Sequence, residues 1–151
     1  MQTFLPYQSF GSSAWCLDDK RLNKQRVEAK QIYLSLTEPS YGWKHHPAVK
    51  QWAGYESALA CYGLAMCYEW KVVRKKGDDA DLLGWFERLV ETPMTTFELP
   101  WWLGIQEFHA SHRSNLLRKF PEWYSQFDWQ EPFDLPYWWP SHHESEKELY
   151  A

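Results

Sequence analysis

The sequence predicts an all-α protein: a compact, single-domain helical bundle with an extended N-terminal arm and an aromatic-rich C-terminal tail. Apolar residues recur at helical spacing over several long segments. No segment alternates apolar and polar residues in the manner of a half-buried strand, and no internal repeat is found. At 151 residues the chain is long enough for one domain with a sizeable core.

The arm and the first helix occupy the first quarter of the chain. Residues 1–10 read as the extended arm, and either Ser12 or Ser13 is suited to cap the helix that follows. Helical spacing then continues to about Leu36. Residues 38–42, Glu-Pro-Ser-Tyr-Gly, carry the breakers that end this helix.

Two further helices are predicted in the middle of the chain. Pro47 suits the first turn of a long second helix, because its missing N–H would have no partner there. Apolar spacing continues to Lys76, and Gly77 stops the helix. Residues 78–91 form a shorter amphipathic helix.

The last third combines one helix with irregular segments. The region around Pro93 and the segment 99–104 (Leu-Pro-Trp-Trp-Leu-Gly) are connectors, and residues 105–119 form a fourth helix. Residues 120–140 are too rich in Pro and Trp for regular structure, and we expect them to wrap the helical body. Residues 141–151 read as a frayed acidic end.

Charge is distributed unevenly along the chain. The formal net charge is −4, but residues 1–76 hold 11 Lys/Arg against 6 Asp/Glu, whereas residues 77–151 hold 5 against 14. A polyanion could therefore dock on the first part of the chain.

The three cysteines form no C-x-x-C motif and are expected to be reduced thiols. With no leader and no long apolar run, we expect a cytoplasmic protein.

Glu28 is the strongest candidate for a catalytic residue. On a helix it lies roughly 20° around the axis from Arg21 and about 40° from Lys24, so one carboxylate is set among cations. Such a carboxylate can remove a proton from a sugar while its neighbours hold phosphates. The alternative is a solvated i,i+4 pair of Lys24 with Glu28, which stabilises a helix by only a few tenths of a kcal/mol.

Several motifs together resemble one family. Leu17, Asp19, Leu22 and Glu28 stand at the spacings found in the pyrimidine-dimer DNA glycosylases of the endonuclease V type. A second similarity runs from Arg113 through Lys119 to a P-x-W-Y motif, and a third lies in the helix after His46. The order of the elements agrees along nearly the whole chain.

The resemblance implies an enzyme whose nucleophile is its own N-terminal amine. An α-amine is partly unprotonated at neutral pH; it can attack C1′ of a nucleotide, expel the base and form an imine. The family pattern assigns the acid/base role to Glu28. Because the bulky Gln2 is expected to prevent removal of the initiator residue, the amine is assigned to Met1. At two positions the chain differs from the family pattern: Val27 stands where the family has an arginine, and Arg21 stands where it has a histidine.

The resemblance also implies double-stranded, damaged DNA as substrate, bound by a monomer that is nucleoid-associated in a bacterium, with no cofactor. Basic side chains would hold phosphates, and tail aromatics would stack on a base or brace a kink. The expected DNA contacts are Lys20, Arg21, Lys24, His46, Arg113, Arg118, Lys119, Trp123 and Tyr124.

Two alternatives remain open from the sequence. One is a non-catalytic nucleic-acid-binding protein of the same fold. The other is a metal-dependent hydrolase, since His109 and His112 stand i,i+3 on a helix and His45-His46 precede another. The H-x-x-H spacing alone is a weak signal, and no metal is expected.

Overall fold

The computed structural model describes residues 1–91 and 98–150, and its regular structure is helical. Within this part of the chain no strand is formed, which confirms the all-α prediction. The α-helices of the described residues are α1 (Phe10–Cys16), α2 (Asp19–Thr37), α3 (Pro47–Lys50), α4 (Glu56–Tyr68), α5 (Leu82–Glu91), α6 (Gln106–Lys119) and α7 (Pro121–Tyr124). None of the described helices is long and apolar enough to cross a bilayer.

The first predicted helix is in fact two. Ser9, rather than Ser12 or Ser13, caps α1: its side chain accepts the Ser12 N–H at 3.1 Å. Leu17 and Asp18 are extended, so the chain turns before α2 begins. The turn is held from a distance, because the Tyr124 hydroxyl accepts the Asp18 N–H at 3.1 Å.

The second predicted helix is also interrupted. His46 caps α3 and Pro47 occupies its first turn, as the sequence indicates, but α3 ends at Lys50. Gly54 has φ +86°, a left-handed conformation that favours glycine, and it separates α3 from α4. The end of α4 continues as a π-helical turn, Glu69–Val73, and does not reach Lys76.

The third helix begins four residues later than predicted. Asp78 lies outside α5, and its carboxylate accepts the backbone N–H groups of Leu82 and Leu83 at 3.0 and 3.1 Å. Arg26 also bonds this carboxylate at 2.5 Å and so ties α5 to α2. The predicted connector around Pro93 lies outside the described residues.

The core forms where α2 and α5 pack on α4 and where α6 meets the N-terminal arm. Gly63 allows α4 and α5 to approach closely, since a Cβ there would lie 2.2 Å from the Phe86 ring. The cysteines Cys16, Cys61 and Cys67 are free thiols. The largest fully buried side chains include Trp52, Trp102, Tyr62, Tyr124, Phe86 and Phe108.

The C-terminal tail wraps α6, as predicted, but the prediction that residues 120–140 lack regular structure is wrong, because α7 and a 3₁₀ turn, Ser125–Phe127, form there. The backbone N–H groups of Leu135 and Trp138 donate to the hydroxyls of Ser114 and Ser111, at 3.0 and 3.1 Å. Beyond the tail, the segment expected to fray forms 3₁₀ turns at Pro140–His142 and Glu144–Tyr150. Stacking of His143 on Trp138, with ring centroids 4.1 Å apart, attaches these turns to the tail.

Candidate active site

The N-terminal arm is extended and buried, and side chains satisfy its backbone. The Phe4 N–H donates to Gln25 Oε1 at 2.8 Å, and the Phe4 carbonyl accepts the Tyr62 hydroxyl at 2.9 Å. The Thr3 hydroxyl oxygen accepts the ring N–H of Trp52 at 3.0 Å. Because a buried extended segment cannot satisfy its own backbone groups, these bonds fix the path of the arm.

Two histidines of α6 hold the next residue of the arm. The Leu5 N–H donates to His112 Nδ1 at 2.8 Å, and His109 Nδ1 lies 2.7 Å from the Leu5 carbonyl. Since His109 Nε2 accepts the Gly104 N–H at 2.9 Å, its proton sits on Nδ1 and is donated to Leu5. Burial lowers the pKa of both rings, and that of His112 strongly. Both histidines are therefore neutral and hold the backbone of Leu5 by hydrogen bonds.

The arm leads Met1 into a cavity of about 330 Å³ against α2, the C-terminal end of α6 and the tail. Six of the residues selected from the sequence meet there, although they come from three separate parts of the chain. The cavity is lined by Met1, Gln2, Phe4, Lys20, Arg21, Lys24, Gln25, Glu28, Lys119 and Tyr137.

Glu28 is buried at the base of this cavity, with 7% of its surface exposed. Its Oε2 accepts the Gln2 backbone N–H at 3.3 Å and the Gln25 side-chain amide at 3.2 Å. Its Oε1 lies 3.7 Å from the exposed ammonium of Lys24. The i,i+4 pair therefore exists, but the carboxylate is held by buried donors from the arm and from α2, which a solvated surface pair does not require.

A backbone hydrogen bond places the chain terminus next to Glu28. Met1 immediately precedes the Gln2 N–H that donates to the carboxylate, and consecutive Cα atoms are about 3.8 Å apart. The Gln2 side chain is buried, and its Oε1 accepts the Thr3 N–H at 2.9 Å. These contacts hold the first residue of the chain beside the carboxylate before any ligand binds.

The cavity is strongly positive. Lys20, Arg21, Lys24 and Lys119 line it together with the N-terminal residue, and among the described residues Glu28 is the one acidic side chain in the lining. Burial lowers the pKa of Lys119, and the positive charges of Arg21, Arg118 and Lys24 lower it further. A cavity of this composition suits an anion, since bound phosphate would relieve the repulsion among the cations.

Tyr137 is a cavity residue that the sequence analysis missed. It belongs to the tail, where no motif or spacing distinguishes it from the other aromatic residues. Gln25 was also missed, although its place three residues before Glu28, on one face of α2, was a usable signal. Phe4 completes the aromatic side of the lining, with its ring centroid 6.4 Å from that of Tyr137.

Arg113 and Arg118 bind protein groups outside the cavity lining. Arg113 donates to the Pro6 carbonyl at 2.7 Å and pairs with Glu131 at 2.5 Å. Arg118 donates to the Phe133 carbonyl at 3.1 Å. In this structure both guanidinium groups tie the arm or the tail to α6.

The two aromatic residues selected from the P-x-W-Y motif also make internal contacts. Tyr124 is fully buried, and its hydroxyl donates to the Asp18 carboxylate at 2.5 Å. Trp123 is half-buried and donates its ring N–H to the Cys16 carbonyl at 2.8 Å. Both side chains brace the turn between α1 and α2, and the tail aromatic residue that lines the cavity is Tyr137.

His46 lies at the start of α3, within electrostatic reach of the cavity. Its Nδ1 accepts the Ala48 N–H at 3.0 Å. Burial lowers the pKa of His46, the positive N-terminal amine lowers it further, and negative Glu28 opposes them. Among residues 1–91 and 98–150, no three His, Cys, Asp or Glu side chains gather as a metal site, and His109 and His112 bind Leu5 instead.

Comparison with known proteins gives one match. A family model described as pyrimidine dimer DNA glycosylase matches residues 1–79. This range includes the arm, α2 and the turn before α4, and it ends before Lys119 and Tyr137. No curated protein and no solved structure matches the chain.

Proposed function

Because the chain belongs to the pyrimidine dimer DNA glycosylase family, we propose that it excises a damaged base from duplex DNA and then cuts the strand at the abasic site. The Met1 amine is the nucleophile and Glu28 is the acid/base group. The observation that supports this most is the cavity whose lining brings together a buried carboxylate, the N-terminal residue and four basic side chains.

The first half of the reaction exchanges the base for the amine. The lone pair of the Met1 nitrogen forms a bond to C1′ as the bond from C1′ to the base breaks with its electrons on the base. The nitrogen sheds one proton and the departing base gains one, so the step is balanced. Opening of the sugar ring then gives an imine between the terminal nitrogen and C1′.

The second half cuts the strand. The imine withdraws electrons from the sugar, so the Glu28 carboxylate can remove a proton from C2′. The C2′–H electrons form the new carbon–carbon double bond as the 3′ phosphate leaves, and water then hydrolyses the imine to release the enzyme. The hydrogen bonds from Gln2 and Gln25 to Oε2 support this role because they orient the carboxylate. The other oxygen, Oε1, lies near Lys24, whose side chain lines the cavity.

The cations of the cavity bind the DNA backbone on both sides of the attacked sugar. Lys20, Arg21 and Lys24 approach from α2, and Lys119 approaches from the end of α6. Each phosphate neutralised releases counterions, so affinity should fall steeply with salt. The net charge of −4 does not oppose this, because the positive charge is concentrated at the site.

Borohydride trapping tests the proposal. The protein is incubated with a duplex that carries one abasic site, the imine is reduced, and the adduct is located by mass spectrometry. We expect one covalent adduct at Met1 that is lost when the terminal amine is selectively acetylated. A protein incubated with an intact duplex of the same sequence is the control.

Each other outcome contradicts a defined part of the proposal. An adduct on a lysine would refute Met1 as the nucleophile. Intact DNA binding without any adduct would refute the lyase activity and favour the non-catalytic binding protein. Strand cleavage that is abolished by a chelator would favour the metal-dependent hydrolase.

A further inference from the structure

Tyr137 lines the cavity, and its hydroxyl has no hydrogen-bond partner among residues 1–91 and 98–150. The residue is half-buried and shares the lining with Glu28 and Arg21. Burial raises the pKa of Tyr137 to about 12; the charges of Arg118 and Arg21 act to lower it and that of Glu28 acts to raise it. The phenol is therefore a neutral hydrogen-bond donor at physiological pH.

The ring that carries this hydroxyl is held on several sides. The Asn115 amide donates to the Leu135 carbonyl at 3.0 Å, and the Ser111 hydroxyl accepts the Trp138 N–H at 3.1 Å, so the backbone is fixed on either side of Tyr137. The ring packs edge-to-face against His112, with the two ring centroids 5.7 Å apart. A side chain locked in this way holds its hydroxyl in place at no further entropic cost when a ligand binds.

The cavity lining thus contains two chemically different groups. Lys20, Arg21, Lys24 and Lys119 form a charged group that suits phosphates. Phe4 and Tyr137, whose rings are neighbours, form an aromatic group with one neutral donor. A pyrimidine base with carbonyl oxygens fits the aromatic group, since its ring can pack against the aromatic rings while a carbonyl accepts the hydroxyl.

We infer that Tyr137 binds the base that is expelled and donates a hydrogen bond to its carbonyl oxygen as the bond to C1′ breaks. This inference rests on the proposed function. In that step the electron pair of the broken bond arrives on N1 of the pyrimidine and is shared with the adjacent carbonyl oxygen. A fixed donor at that oxygen stabilises the developing charge without transferring its own proton.

The role is restricted to base release, which makes it separable from the strand-cutting step. An abasic site has no base, so the amine attack, the imine and the elimination at C2′ can proceed without the Tyr137 hydroxyl. A purely structural role for Tyr137 would instead affect both steps. The two activities of the one enzyme therefore serve as internal controls for each other.

The test compares the wild type with Tyr137→Phe on two duplexes of the same sequence. One duplex carries a single cyclobutane pyrimidine dimer, and the other carries a single abasic site. Tyr137→Phe keeps the ring and removes a hydroxyl that bonds to none of the described residues, so it should fold normally. Tyr68→Phe, at an exposed tyrosine of α4, is the matched control.

We expect Tyr137→Phe to slow cleavage of the bond between C1′ and the dimer base in single turnovers by about 10- to 100-fold and to leave nicking of the abasic duplex within about 2-fold. Equal losses on both duplexes, or no loss on either, would overturn the inference. A wild type that nicks the abasic duplex and is inert on the dimer would refute the glycosylase half of the proposed function and this inference with it.

Discussion

Substitution of Glu28 by glutamine is the most direct test of the site, because the structure allows its cost in stability to be separated from its cost in activity. The glutamine amide can be oriented so that its oxygen accepts the Gln2 and Gln25 donors now bound by Oε2. Its NH₂ group then replaces Oε1 beside Lys24, and an ion pair with an exposed lysine is lost.

The expected loss of stability is moderate. An exposed ion pair contributes about 0.2–1 kcal/mol, and each of the two hydrogen bonds to the charged acceptor exceeds a neutral one by about 1 kcal/mol. Together these give a decrease of about 2–3 kcal/mol in the free energy of unfolding. An amide cannot remove the C2′ proton, so elimination should slow by about 10²- to 10⁴-fold.

The assay is single-turnover nicking of a duplex with one abasic site, together with urea unfolding and DNA binding by fluorescence anisotropy. Glu107→Gln, at an exposed position in the first turn of α6, is the matched control. We expect Glu28→Gln to bind DNA and to remain folded while nicking is lost. Nicking within about 10-fold of the wild type would refute the acid/base role of Glu28.

Three further outcomes follow from the structure. Burial keeps His112 neutral in the folded protein, whereas an exposed histidine becomes protonated below about pH 6.5, so the unfolded chain binds the extra proton. The free energy of unfolding, measured with urea, should therefore be highest above about pH 6.5 and should fall progressively at lower pH. A profile that does not change with pH would contradict the hydrogen bond from Leu5 to a neutral His112. Gly63→Ala should lower the free energy of unfolding by about 1–3 kcal/mol because its methyl group would collide with Phe86; an unchanged urea midpoint would show that α4 and α5 can separate freely. Lys119→Ala should reduce the slope of log affinity against log salt by about 0.9 when binding is measured by anisotropy, and an unchanged slope would remove Lys119 from the phosphate contacts.

The helical nature of the chain and the face of α2 that carries Glu28 could be predicted from sequence. Local spacing alone puts Arg21, Lys24 and Glu28 on one side of a helix, and tertiary packing cannot alter that relation while the helix persists. The fourth helix was likewise predicted to within one residue, because a proline follows its last turn. Both successes rest on interactions between residues a few positions apart.

The helix breaks could not be predicted, since each depends on a distant or conformational constraint. The turn at Asp18 is held by Tyr124, more than 100 positions along the chain. The same contact explains why Tyr124 is buried, whereas the sequence analysis predicts that Tyr124 contacts DNA. The apolar spacing continues across Gly54, although the left-handed backbone there lies between α3 and α4 and separates them.

The sequence by itself determined which residues of α2 share a face, where the cations are concentrated and which carboxylate stands among them, because these depend on helical geometry and composition. Only the tertiary structure decided that Met1 lies beside Glu28, that Lys119 joins the cavity, and that Tyr137 faces it. The physical reason is that a buried extended arm needs partners for every backbone group. Side chains of α2, α4 and α6 supply them from remote positions, and no local pattern records such pairings.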